Sequence, residues 1–388
     1  MQYHLIANEM NEDRLRYGAA SRRQNHDWCF KYTNKPNTLL RLICWMGFLA
    51  DSDDTQRGRI ASRVFLVTII MSGIDRTIAY FLEDNLEKMW KVVAIIISNY
   101  FVSVLIKYAM IRKRKDLTRF LRLLHKIHPH TQRKEVDIIL YCIFSIPIIF
   151  AVLNVFSAER GKMANLLSYH YPIHNPLLQI LLILVKTSLY NTLHPMFPTL
   201  VVLLHCVLCH RVGGLINRLK KEVVRCPSAE FTLSKQVSLL KQKNKIDDAL
   251  VLLQQVLYLP SFLICMLYFC ACCNAVGWLV VGEKNTADAA LMVQFALYLA
   301  NAIFSLLAYM WFVGCLPTEM DAFKDEFCRK VQEKLLVGGK PDDIDYQKGL
   351  CERPSFVLSG CDIIHFKRSS ILSLSGAVFT YTILLITN

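Results

Sequence analysis

The chain has 388 residues, of which 54% are hydrophobic and 20% charged, with a mean hydropathy of +0.32. That balance is too apolar for an ordinary soluble globule. The net charge of +14 would suit a nucleic-acid binder, but the charges gather in alternate connections between apolar runs. That pattern reports membrane orientation, and no nucleic-acid partner is expected.

Residues 1–24 are polar and lack the apolar core and small-residue cleavage site of a signal peptide. Residues 38–50 (TLLRLICWMGFLA) are apolar but short and carry Arg41. They predict an interfacial or cytosolic helix, not a span. Apolar runs predict seven transmembrane helices at 62–82, 89–110, 137–157, 176–209, 251–281, 288–314 and 369–388. The fourth and fifth are longer than a bilayer needs, so they tilt or project. Basic residues crowd 111–135, 210–245 and 315–368, whereas 83–88, 157–175 and 281–286 are poor in them. The alternation places the N-terminus in the cytosol and, after seven crossings, the C-terminus outside.

The fold class that follows is an all-α membrane protein with cytosolic helical extensions forming an anchor subdomain. The extensions are read at 236–257 and 323–336, where apolar spacing stays helical beyond the spans. The chain divides into a cytosolic N-terminal segment (1–61), spans one to six with their extensions (62–314), a cytosolic segment (315–368) and a last helix (369–388).

No phosphate-cradling glycine loop, zinc-protease helix or nucleophile elbow is present, so the sequence points to no enzyme and no cofactor. Cys206 and Cys209 form half a metal motif without a second pair, and no metal site is expected. His125, His128 and His130 read as solvated surface of a basic segment.

Polar residues inside spans are costly in lipid and therefore informative. Asp75 and Arg76 are adjacent in span one, so they do not share a helix face, and each finds its own partner or snorkels. Asn154 lies near the outer end of span three. Lys186, Tyr190, Asn191 and His194 lie in span four, with Tyr190 and His194 four apart. Tyr268 and Asn274 lie in span five, and Gln294, Tyr298 and Asn301 share a stripe of span six. Their similar depth suggests a ligand cavity opening outward, with Asn154, Tyr190, His194, Tyr268, Gln294 and Tyr298 as its candidate lining. Interhelical hydrogen bonding that glues the bundle explains the same residues equally well.

In the last run Ser373, Ala377, Thr380, Leu384 and Thr387 form one narrow stripe of small and hydroxylated residues. Such a face suits tight helix packing or a pore shared by subunits around an axis. The stretch SSILSLSGAVFTYTILLI resembles the final helix of arthropod gustatory receptors, whose signature is Thr-Tyr, five apolar residues, then Gln-Phe. Thr380 and Tyr381 match, and residues 382–386 fill the apolar positions. Thr387 and Asn388 stand in place of Gln and Phe. SGCDIIHFKRSSILSLSGA similarly looks like that family's return into its last span. The related odorant receptors resemble the chain less, since their last helices lack the Thr-Tyr spacing.

The resemblance implies a homo- or heterotetrameric ligand-gated cation channel, built with gustatory receptor subunits in the plasma membrane of sensory neurons. It further implies last helices that line the pore, a shared cytosolic anchor and a small-molecule tastant site in the outer half of each subunit. Within that scheme Thr380, Leu384 and Thr387 face the pore, Leu384 as a hydrophobic gate and Thr387 as a polar ring outside it. Two other classes remain open. A G-protein-coupled-type seven-helix receptor would need its N-terminus outside, and a secondary transporter would predict broken helices in repeated halves.

Overall fold

The computed structural model describes residues 38–49, 56–82, 86–127, 134–158, 160–281, 289–336 and 356–366, with scattered positions in 369–380. These residues are helical apart from turns and one two-stranded hairpin. The helices are α1 (Thr38–Trp45), α2 (Gln56–Phe81), α3 (Leu86–Arg112), α4 (Arg114–Ile127), α5 (Lys134–Phe156), α6 (Arg160–Leu167), α7 (Pro176–Asn191), α8 (Phe197–Arg225), α9 (Leu233–Val281) and α10 (Ala289–Leu336).

Among the described residues, six helical stretches are long and apolar enough to cross a membrane. They fall on the first six predicted spans, and the protein is a multi-pass membrane protein with an all-α fold. The seventh span is only partly described. Ser370, Leu372, Ser373, Gly376, Ala377 and Thr380 are helical, whereas Tyr381, Leu384 and Thr387 lie outside the described residues.

α8 is the central helix. Of its most apolar stretch, taken together with α7, 72% is buried, against 17% for α2, which turns its Val64, Val67 and Met71 outward. α8 packs along α10, α9 packs against α3 and α10, and α5 packs against α7. α9 and α10 have 49 and 48 residues, so each is about 70 Å long at the helical rise, more than twice the hydrocarbon thickness. Their surplus lies at the basic end of the bundle, where the sequence predicts cytosolic extensions.

That end is closed by an amphipathic helix. In α4, Leu117, Phe120, Leu121 and Leu124 recur at helical spacing and are buried against α9. Lys115, Arg119 and Lys126 point to solvent. Asp116 in the first turn and Lys126 in the last complement the helix dipole.

The predicted surface helix at 38–50 is short, as expected, but it is docked into the bundle. Met46, Phe48 and Leu49 behind α1 are buried. Gly47 makes this turn possible. Its φ is +76°, and a Cβ there would strike Ser62 Oγ at 1.9 Å. Lys107, fully buried in α3, donates to the Met46 carbonyl and lies over the rings of Phe48 (4.6 Å) and Phe65 (4.8 Å).

At the other side of the inner core, residues 356–366 form the hairpin β1 (Ser359–Gly360) and β2 (Ile364–His365). Cys361 and Asp362 have φ of 53° and 55°, left-handed values that Asp tolerates better than most residues. Asp362 is held from two sides, by Ser359 Oγ at 2.9 Å and Tyr258 OH at 3.0 Å. Gln254 of α9 receives Ser359 N at 3.0 Å and donates to its carbonyl at 3.0 Å. Phe366 then packs edge-on against Tyr309 of α10 at 5.5 Å, and Tyr309 donates to Ser261 of α9. The hairpin thus leads the chain into its last run from a seat on α9 and α10.

Candidate functional site

At the end of the bundle opposite the basic residues, α2, α3, α6 and α7 enclose a small second core. It contains Ile69, Tyr100, Ala164, Leu167, Ile183, Tyr190 and Leu193 and is separate from the main core. A polar network is built around it.

Asp75 of α2 is its node. Lys186 of α7 pairs with Oδ1 at 2.9 Å, and the hydroxyls of Tyr169 and Tyr190 donate to the same carboxylate. Lys186 also donates to the Leu167 carbonyl at 2.9 Å. Tyr169 reaches α2 because the loop turns sharply there, with φ of 57° at Tyr169 and 64° at His170. The hydrogen bond to Asp75, aided by burial, raises the Tyr169 phenol above its ordinary pKa. Arg76 takes a different set of partners, with Tyr190 in common. It donates to Tyr80 and stacks over Tyr80 (4.5 Å) and over the ring of Tyr190 (4.9 Å). The two adjacent charges therefore have different partners, as their spacing predicts, yet both meet Tyr190.

The second group lies around the break in the fourth span. Thr192–Met196 form a π-helical turn between α7 and α8, with His194 in extended backbone at φ −151° and ψ 119°. Pro195 has no N–H to continue the α-helical ladder. The break interrupts the regular helix between Tyr190 and His194, so a spacing of four does not by itself fix a shared face. His194 Nε2 instead meets Tyr298 OH of α10, and Tyr100 of α3 packs edge-on against its ring at 6.3 Å. One turn into α8, Thr199 Oγ1 lies 2.8 Å from Tyr268 OH and accepts from Asn301 Nδ2 at 3.3 Å.

The structure thus brings Tyr190, His194, Tyr268 and Tyr298 into hydrogen-bonded contacts between elements. Asn154 is buried, but its Nδ2 donates to Phe150 O of its own helix at 3.0 Å. Asn191 likewise donates to Thr187 O at 2.8 Å. Gln294 is half-buried one turn before Tyr298 on α10.

Not every polar atom in this region is satisfied. Arg76 Nε, Thr187 Oγ1, His194 Nδ1 and Asn274 Oδ1 are buried atoms without a partner, and the buried Asn99 amide has no hydrogen bond of ordinary geometry. Such atoms are rare in a finished core and are usually met by water or a ligand. The sequence reading missed Asn99, Tyr100 and Tyr169. The first two sit in the apolar run of span two, where SNYF was available as a signal, since an Asn in a span is costly. Tyr169 lies in a loop and gave no sign of reaching back to α2.

Among the described residues no cluster of His, Cys, Asp or Glu can hold a metal ion. Cys206 and Cys209 are buried side chains of α8.

No protein-family profile matches the sequence, and no curated protein matches it either. Solved structures do match the fold. One is the insect olfactory receptor OR5 from Machilis hrabei, at a TM-score of 0.66 and 12% identity, covering 89% of this chain and 96% of that one. Another is the same receptor in complex with eugenol, at a TM-score of 0.58 and 12% identity, covering 90% of this chain and 96% of the other. At that identity the likeness establishes a shared fold over nearly the whole of both chains.

Proposed function

We propose that this chain is a chemoreceptor subunit of a ligand-gated cation channel, gustatory-receptor-like, in the plasma membrane of sensory neurons. A small-molecule tastant opens it by binding among α2, α3, α7, α9 and α10. The observation that carries the reading is a set of unsatisfied buried atoms, Arg76 Nε, Thr187 Oγ1, His194 Nδ1 and Asn274 Oδ1, with Arg76 over the ring of Tyr190 and His194 against Tyr100 and Tyr298. A ligand with hydroxyl or carbonyl groups and an apolar body would complete their hydrogen bonds. The fold shared with an olfactory receptor that has been solved in complex with eugenol supports a small organic ligand.

The pore belongs to the last run. Its described helical residues from Leu372 onward are exposed, Leu372 at 78%, with Ser373, Ala377 and Thr380 also exposed. A helix leaving its stripe uncovered by its own chain is suited to meeting other subunits around an axis. In a homo- or heterotetramer Thr380, Leu384 and Thr387 would then line the pore, with Leu384 closing it by excluding water.

Cells expressing the chain alone, recorded by patch clamp against sugars, bitter compounds and small metabolites, test the reading. A ligand-dependent cation current that shifts with His194→Gln is expected. A current insensitive to substitution at His194, Tyr298 and Asn99 would mean that these residues only glue the bundle.

A further inference from the structure

The other end of the protein carries a second concave site. Where α8 ends and the chain turns into α9, an open cavity of 620 Å³ lies against one face of α8. Gly214, Arg218, Lys221 and Arg225 line it, at spacings of four, three and four, so one helix face presents three cations in succession. They span about 10 Å of helix rise. Asn217 adds an amide at the same edge, and Lys235 closes the far wall from α9.

The acidic residues of the wall do not neutralise this face. Glu222 is engaged by Lys235 Nζ at 2.5 Å. Glu230 lies in the connecting turn. Among the described residues no carboxylate pairs with Arg218, Lys221 or Arg225.

The frame around the cavity is fixed. Lys220 of α8 pairs with Glu319 of α10 at 2.9 Å. Lys334 donates to the Phe231 carbonyl at 2.8 Å, and Ser228 donates to Glu333 at 3.2 Å, so the connecting turn is tied to α10. Phe231, fully buried, packs against Phe327 at 5.5 Å.

A solvated basic face needs none of this. Unpaired cations repel one another, and lining a concavity with three of them concentrates positive potential where counter-ions collect. Two guanidinium groups flanking an ammonium match phosphate oxygens, which accept bidentate bonds from Arg and a point charge from Lys. The volume fits a small molecule. We propose that this cavity binds a compact ligand carrying two or more phosphate groups, and that Arg218, Lys221 and Arg225 are its phosphate ligands. The cavity begins five residues beyond Cys209, at the end of the predicted span, and Arg225 lies about 24 Å beyond it along the helix axis.

The test uses the purified full-length protein in lipid nanodiscs. Inositol hexakisphosphate, free in solution, is titrated against nanodiscs of neutral lipid. In a second arm, phosphatidylinositol 4,5-bisphosphate is built into the nanodisc and its retention through purification is measured. Binding in the first arm identifies a soluble source and in the second a lipid headgroup; absence of binding in both overturns the proposal. The combined Arg218→Gln, Lys221→Gln and Arg225→Gln variant should bind about tenfold more weakly or worse, because charge-assisted contacts are removed. Neutralising Lys115, Arg119 and Lys126 on the exposed face of α4 removes the same charge elsewhere and should leave affinity unchanged. An equal loss there would reduce the site to bulk charge and overturn it. Gly214→Trp separates the cavity from its charge. A Cβ at Gly214 meets nothing within 4 Å, so the indole is free to occupy the space. It should block binding with every cation in place, and unaltered affinity would show that the ligand does not sit in the cavity.

Discussion

The two ends of the bundle are built by opposite rules. At the basic end, α8, α9 and α10 run on beyond the length a bilayer needs, and hydrogen bonds tie the neighbouring elements together: Gln254 to Ser359, Tyr258 to Asp362, Lys220 to Glu319 and Lys334 to Phe231. At the other end a small core is held by one well-satisfied carboxylate, Asp75, while several neighbouring buried atoms have no partner. A region whose elements are cross-tied by side-chain hydrogen bonds and ion pairs resists rearrangement. A region that leaves buried polar atoms unpaired can gain free energy when a ligand supplies the missing bonds. Under the proposed function, the cross-tied end is the rigid one and the end with unsatisfied atoms is the one that answers ligand.

The strongest way to break that comparison is to remove the node. Asp75→Asn should destabilise the protein by about 3 kcal/mol, since it leaves the half-buried Lys186 uncompensated. The melting temperature in detergent reads this, and a second change, Lys186→Gln, should restore part of the loss. If Asp75→Asn leaves melting unaltered, the responsive end is not held by this carboxylate.

Gln254→Ala comes next. It removes the bonds that seat the hairpin and should cost about 2 kcal/mol through unpaired backbone groups at Ser359. Because the hairpin leads into the last run, ligand-free current should change while the half-maximal ligand concentration stays put. A shift in ligand sensitivity equal to that of a His194 variant would dissolve the distinction between the ends.

Tyr298→Phe sharpens the comparison from the other side. It frees His194 Nε2 and should cost about 1 kcal/mol or less in stability. Its ligand dose–response curve should move by about tenfold, the size of one lost hydrogen bond to a bound ligand or its partner, with surface expression unchanged. Lys220→Gln should have the smallest effect. A partly exposed ion pair is worth about 0.5 kcal/mol, so melting falls slightly and ligand sensitivity does not move.

The spans were legible because a bilayer imposes a length and a composition that few other structures need. The polar network was legible in part. Intramembrane cost singled out Asp75, Arg76, Tyr190 and Tyr298, and the structure gives each a partner. It also singled out Asn154, whose amide turns back on its own helix, because polarity at a position does not say which carbonyl is nearest. Helical spacing also grouped Tyr190 with His194, across a break at Pro195 that regular periodicity does not foresee. The buried Lys107 passed unnoticed, since its partner is a backbone carbonyl 61 residues away in a docked turn.

What the sequence determined alone was everything that follows from one-dimensional pattern. Runs of apolar residues need lipid or a core, alternating basic connections predict which side each loop takes, and spacing of three and four assigns side chains to helix faces. Tertiary structure decided which faces meet. It brought Tyr169 from a loop onto Asp75, left His194 Nδ1 and Asn274 Oδ1 without partners, and set Arg218, Lys221 and Arg225 around a cavity. Those outcomes depend on packing between elements distant in the chain, and no local period in a sequence encodes the distance between two helices.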